Sequence, residues 1–222
     1  MMEGLIYKTQ PYQENSRLLF VYTPKGKVTL FARGAQKVTD RNRIIGQYLT
    51  HISFKEYPNK TFYTLQDAQL INDYQFLKTS FQKTQRAALI LELIDRLIID
   101  QMNDDVVYQL MIDALADERI TQSSLSFAIK LLKLLGYGID LNPQEKQIKG
   151  INIQKGGLIY PQENASVDLS AKDAVTLLKL YAIPYSEQET FDDEILKRII
   201  FFIDQYYQYH LNIQLKNIKM NE

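Results

Sequence analysis

The densest set of reactive side chains in this sequence is cationic. Lys25, Lys27, Arg33, Lys37, Arg41 and Arg43 fall in one short stretch that holds a single acid, Asp40. Such side chains neutralise phosphates, and flat rings stack on bases; Tyr22, Tyr48, Tyr57 and Tyr63 lie on the neighbouring β-rich runs. Together they form a candidate nucleic-acid site. A solvated basic loop beside tyrosines buried in a core accounts for the same residues equally well, and composition leaves both readings open.

Other chemistries lack reactants. The chain has no cysteine, which excludes disulfides, a thiolate zinc site, an iron–sulfur cluster and a cysteine nucleophile. His51 and His210 are too few for a histidine-rich metal cage. The sequence contains no GxxxxGK[ST], GxGxxG, GxSxG or HExxH. The acidic runs Asp104-Asp105 and Asp192-Asp193-Glu194 sit at expected helix starts, where carboxylates accept from the first N–H groups and favour the helix dipole. His51 alternates with Ile52 and Phe54 on an expected strand, and His210 has no acid or nucleophile beside it, so both read as packing or surface residues. The expectation is a protein that is not an enzyme and carries no cofactor or metal.

The elements that must position the cations follow from charge and hydrophobic period. Lys and Arg number 26 and Asp and Glu number 26, a net charge of zero that hides an uneven distribution. Residues 1 to 79 hold eleven basic and six acidic side chains, a net +5, against fifteen and twenty in residues 80 to 222, a net −5. The period changes at the same place. Before it, GLIYKTQPY, RLLFVYTP, KVTLFARGA, QYLTHISFKEY and TFYTLQDAQLI read as five strands separated by turn residues, including Pro58-Asn59-Lys60. A long basic connection follows the third. Five short strands suit a small closed barrel of the oligonucleotide-binding (OB) type, with an SH3-like barrel as the alternative.

From Ser80 the period becomes 3.6. Ala87, Ile90, Leu91, Ile94, Leu97 and Ile98 form one stripe; a second helix starts at Asp104 or Asp105, and a third runs from Thr121 to a stop at Gly136-Tyr137-Gly138. Residues 139 to 169 break the pattern with Pro143, Gly150, Gly156, Gly157 and Pro161 around the β-like runs INI and LIY. Helices resume from Ser170 to Tyr181 and from about Asp192. The fold class expected is α+β and multi-domain: a five-stranded OB barrel over 1–79, then a mostly helical domain over 80–222 with a small hairpin insertion at about 139–169. Met1 to Thr9 shows no basic stretch leading into an apolar run, and no window nears about 18 uninterrupted apolar residues, which predicts a cytoplasmic protein with no membrane partner.

Five stretches in order carry a family resemblance: GLIYKTQPYQENSRLLFVYTPKGKVTLFARGA at the start, YTLQDAQLI at 63–71, LILELIDRLI at 89–98, LLKLLGYGIDL at 131–141 and YHLNIQLKN at 209–217. In that register the chain resembles the bacterial recombination mediators of the RecO family over nearly its whole length. The resemblance implies an OB barrel, a helical C-terminal domain and, in many members, a four-cysteine zinc module. At the positions of those cysteines this chain has Gln144, Gln147, Tyr160 and Glu163, so it looks like a variant lacking the module.

The resemblance further implies a non-catalytic role in recombinational repair. RecO-like proteins bind single- and double-stranded DNA, anneal complementary strands, and work with RecR to load RecA onto DNA coated by single-stranded-DNA-binding protein (SSB), in a pathway that includes RecF. The DNA-binding residues expected on this reading are Lys25, Lys27, Arg33, Lys37, Arg41 and Arg43, and the cellular site is the nucleoid-associated cytoplasm. The acidic, apolar C-terminal tail of SSB is expected on the helical domain. Phe127, Lys130, Leu131 and Lys133 are the candidates there, although an ordinary amphipathic helix explains them as well. An adaptor whose barrel is structural support is the alternative function. A nuclease ranks last, because it needs clustered carboxylates for metal ions and the barrel half has six scattered acids.

Overall fold

Alternation of apolar and polar residues forms the N-terminal sheet, because each strand places every second side chain on one face. The computed structural model describes residues 1–37, 39–40, 42–57, 60–99 and 105–219. Strands β1 (Met2–Tyr12), β2 (Ser16–Thr23) and β3 (Gly26–Ala32) form an antiparallel meander, and β4 (Thr50–Phe54) returns beside β1. Then β5 (Phe62–Thr64) lies parallel to β3, and β6 (Gln69–Asn72) antiparallel to β4. The order is β5-β3-β2-β1-β4-β6.

The two edge strands of that sheet are consecutive pieces of one passage of chain. Between them Leu65 N donates to Phe31 O at 3.0 Å, and Lys55 N donates to Gln66 O at 3.0 Å. One segment thus bonds to both edges and closes the sheet into a barrel with the OB topology. The sequence reads TFYTLQDAQLI as one strand; the structure divides it near Asp67, whose φ of 52° interrupts the extended backbone. Ile6, Leu19, Val21, Leu30, Ala32, Ile52 and Phe54 fill the interior.

The chain forms two compact units, Met1–Ser80 with Leu91–Ile112, and Phe81–Ile90 with Asp113–Glu222. The last strand of the sheet ends at Asn72 and the next α-helix starts at Phe81, on either side of the boundary expected at residue 79. Helix α2 (Phe81–Leu97) contributes to both units, as does α3 (Asp105–Ala116). The later part of α2 and most of α3 associate with the barrel: Tyr108 packs its ring 6.0 Å from that of Tyr22, and its hydroxyl lies 2.9 Å from His51 Nε2. Asp104 lies outside the described residues.

In the second unit, α4 (Ile120–Leu134) packs against α5 (Ala171–Ala182) and α6 (Asp193–Leu211). Helix α4 is buried on nearly every side, including Gln122, Ser123, Ser124 and Ser126. Those polar groups are tolerated because they bond to neighbours: Ser126 Oγ to Leu180 O, Gln122 Nε2 to Glu189 O at 2.9 Å, and Ser123 Oγ to Ala114 O at 2.7 Å. Gly136, with φ of 84°, ends the helix. Asp192 accepts from Glu194 N and Ile195 N, so one acid of its cluster is a helix cap. The insertion folds as β7 (Gly150–Asn152), β8 (Gly157–Ile159) and a further short strand, β9 (Leu169–Ser170), in the order β8-β7-β9. Among the described residues no helix is long and apolar enough to cross a membrane.

Candidate nucleic-acid interface

The connection from β3 to β4 holds the densest cations, and local hydrogen bonds shape it. Gly34 takes a φ of +72°, and a Cβ there would lie 2.1 Å from Asp40 Oδ2, so glycine is required where the connection turns back. Successive turns follow: Lys37 N to Gly34 O at 2.8 Å, Asp40 N to Lys37 O at 3.3 Å, and Arg43 N to Asp40 O at 3.0 Å. Asn42 Nδ2 donates to Arg33 O at 2.9 Å and draws the two ends of the basic segment together. Asp40 Oδ1 accepts from Asn42 N, so the acid of this segment serves the backbone. One helical turn, α1 (Asn42–Ile45), buries Ile45 in the barrel core as an anchor. Gln36 ties the connection to the β1–β2 turn, with its N donating to Asn15 O and its Nε2 to Ser16 O at 2.6 Å.

This arrangement leaves Arg33, Lys37 and Arg43 exposed on one connection. Among the described residues, no carboxylate lies within ion-pair distance of the three. Arg41 lies outside the described residues. Lys25 is exposed but pairs with Glu56 at 2.6 Å, on the β4–β5 connection. Lys27 is corrected: its side chain turns into the first unit, where Nζ donates to Asp95 O at 3.0 Å and Ile98 O at 2.6 Å. A buried ammonium on helix carbonyls is a C-terminal cap and is unavailable to DNA.

Of the two readings open for the tyrosines, the structure supports packing in a core. Tyr22 and Tyr63 are buried, and burial pushes the Tyr63 hydroxyl up to about 12. Tyr57 packs on the barrel core, and burial with nearby Glu92 pushes Tyr48 up to about 12. The rings beside the cations are instead Tyr12 and Phe31, whose centroids are 5.6 Å apart, with the Arg33 guanidinium 5.8 Å from the centre of Phe31. Strand alternation carries the signal for Phe31, since Leu30 and Ala32 on either side point inward.

On α4 the candidates separate. Phe127 and Leu131 are fully buried and cannot line an open pocket. Lys130 Nζ donates to Ile183 O at 3.0 Å and sits 4.2 Å from the centre of the Tyr185 ring; burial holds its pKa below the usual lysine range. Lys133 remains exposed, over Tyr181. A concavity that combines apolar side chains with cations lies elsewhere in the same unit: a cavity of about 190 Å³ lined by Phe81, Leu196 and Ile200 together with Arg86, Lys197 and Asp193. Arg86 is spent on Ile218 O at 2.8 Å, whereas Lys197 is half exposed and pairs with Glu194 at i,i+3 spacing.

The residues at the zinc positions do not fit a metal. Tyr160 OH accepts from Gln144 N at 2.8 Å, Glu163 Oε2 accepts from Tyr160 N at 2.8 Å, and Lys155 Nζ reaches Glu163 Oε1 at 2.6 Å. Gln147 is exposed. This clasp of hydrogen bonds occupies the groups a cation would need, and those bonds and Lys155 hold the Glu163 carboxyl below the usual carboxylate range.

Two family models cover the chain. "Recombination protein O N terminal" matches residues 1–74, and "Recombination protein O C terminal" matches residues 79–218. A "DNA repair protein RecO" of Clostridium perfringens is 32% identical over 142 residues, 61% of this chain and 58% of that protein, so this alignment spans less than two thirds of the relative. The protein of the same name from Bacillus cytotoxicus is 24% identical over 239 aligned positions, 100% of this chain and 96% of the relative. That of Bacillus mycoides is 25% identical over 170 residues, 71% and 68% of the two chains.

Proposed function

The chain belongs to the RecO family of DNA repair and recombination proteins, and on that premise we propose that it acts without catalysis, holding DNA on the connection that carries Arg33, Lys37, Arg41 and Arg43. The observation that carries this reading is that the exposed cations Arg33, Lys37 and Arg43 share one hydrogen-bonded connection between strands β3 and β4 of the barrel and meet no carboxylate among the described residues. Cations so placed track phosphates without reading sequence, which suits both single- and double-stranded DNA and the annealing of one strand to another.

In this reading the protein works with RecR to load RecA onto SSB-coated strands, in a pathway with RecF, in the nucleoid-associated cytoplasm. The SSB tail is assigned to the cavity walled by Phe81, Leu196 and Ile200, because apolar walls and a cation match an acidic, apolar tail. Lys197 can exchange Glu194 for an incoming carboxylate at little cost, since an exposed i,i+3 pair is weak. Lys133 is the one α4 candidate still accessible to a partner.

The test is a salt titration of DNA affinity by fluorescence anisotropy with the full chain and a variant carrying Arg33→Glu, Lys37→Glu and Arg43→Glu. The variant binds more weakly at low salt, and on single strands the slope of log affinity against log salt falls by about 0.7 for each phosphate no longer neutralised. Equal affinity and equal slope in both proteins would refute the assignment and favour the adaptor reading, in which the barrel only supports the helical domain.

A further inference from the structure

The outward face of β1, β2 and β3 is covered at one end and open at the other. At the covered end Tyr22 is buried against Tyr108, and Lys27 caps the carbonyls of Asp95 and Ile98. At the open end Tyr12 is 41% exposed and Phe62 57%. Phe62 pairs with Thr29 and Thr64 with Phe31, so Phe62 and Phe31 are diagonal neighbours on that outward face. Tyr12 meets Phe31 edge to face, and Arg33 lies over Phe31.

Large rings left in water on a sheet face cost hydrophobic free energy that burial would recover. We propose that Tyr12, Phe31 and Phe62 form a stacking platform for unpaired bases, with Arg33 bridging the platform to the phosphates held by Lys37 and Arg43. The inference rests on the DNA-binding reading and adds to it the part of the ligand that is recognised. Charge selects the occupant: a strand that lays its backbone along these cations brings its bases to rings beginning at the residue Arg33 covers, and every base has a face that stacks. Duplex DNA, its bases already stacked, gains nothing from the rings. The platform therefore adds affinity for single strands alone, and a strand that pairs leaves the rings while the cations still hold its phosphates.

The experiment uses the full chain, a thymidine oligomer, and an oligomer of equal length whose residues are abasic and so carry the phosphates without the bases. Tyr12→Ala with Phe62→Ala removes two exposed rings, and a thermal melt confirms the fold. Phe31→Leu, which keeps an apolar side chain on the sheet, is the second variant. Each ring removed weakens the thymidine oligomer by roughly tenfold, while the abasic oligomer binds the variants and the parent alike. Thymidine affinity unchanged in both variants overturns the platform, as does an equal loss on the abasic oligomer. If the Arg33, Lys37 and Arg43 reversals weaken binding and the ring variants do not, the cationic reading stands and the platform falls. If the parent chain binds neither oligomer, both fall together.

Discussion

Lys27 Nζ donates to Ile98 O at 2.6 Å, and the same ammonium reaches Asp95 O at 3.0 Å, so this cation closes the C-terminal end of α2 from a strand of the barrel. That ammonium lies over the Tyr7 ring, 5.5 Å from its centre. Lys27→Met keeps the stem and removes the donors. The expected result is a loss of about 1–3 kcal/mol in urea unfolding, the usual cost of buried hydrogen-bond partners left unmade. DNA affinity should not change. Arg33→Met should do the reverse, weakening DNA binding while leaving the urea midpoint in place, because Arg33 is exposed. Weaker DNA binding by Lys27→Met at full stability would return Lys27 to the DNA site.

His51 predicts a pH dependence. It is buried, with Tyr108 OH at 2.9 Å and the Glu3 carboxylate at 3.7 Å. Burial lowers its pKa, and Glu3 opposes the shift in part. The unfolded chain therefore takes up a proton near the usual histidine value of about 6.5, where the folded chain resists it. The contribution of His51 is complete above that value and is lost as pH falls toward the lower folded pKa. Urea midpoints measured on both sides of about pH 6.5 should fall less on acidification in His51→Asn than in the parent. An identical fall in the two proteins would contradict the assignment.

Lys27 and Arg33 also show where sequence reading stops. Both are cations in one stretch, and only the distant carbonyls of Asp95 and Ile98 decide that one is interior and the other exposed. The inward faces of the barrel strands were legible because alternation is local: Leu19, Val21, Leu30 and Ala32 all point inward, as their spacing requires. The helix limits were legible for the same reason, at Asp192 and Gly136. Phe127 and Leu131 misled because an amphipathic pattern promises one wet face. Ser123, Ser124 and Ser126 fill that face with hydroxyls small enough to bury and bond to carbonyls. The outward position of Phe31 follows from its alternation with Leu30 and Ala32, whereas residue type alone does not separate a stacking tyrosine from a core one such as Tyr22.

The clasp at Tyr160 and Glu163 predicts an insertion indifferent to chelators. Tyr160 N and Lys155 Nζ both bond to the Glu163 carboxylate, and Gln144 N bonds to Tyr160 OH. Treatment with a strong chelator should leave the melting temperature unchanged, because these hydrogen bonds hold the turn. Glu163 is depressed below the usual carboxylate range by these bonds, so its contribution is present above that range and is lost as pH falls through its folded pKa. Hydrogen exchange at the Tyr160 amide should accelerate in Glu163→Gln. A melting temperature that drops on chelation would show that metal takes part after all.

Gln188 gives the sharpest test of the second unit. Its Nε2 donates to Ile183 O at 2.9 Å, Ser126 Oγ at 3.1 Å and Leu180 O at 3.3 Å, while its Oε1 accepts from Gln122 Nε2 at 3.1 Å. The residue is buried, so each unmade partner costs free energy. Gln188→Ala should lower stability by about 1–3 kcal/mol. Gln188→Glu keeps the shape but replaces the donor with a second acceptor, aimed at two carbonyls. At neutral pH it should lose at least as much as the alanine variant, and it should recover as pH falls and the carboxyl regains a proton to donate. Urea unfolding of both variants across acidic and neutral pH measures this. A Gln188→Glu variant as stable as the parent at neutral pH would mean that the amide's donors are not what joins Leu180, Ile183 and Ser126.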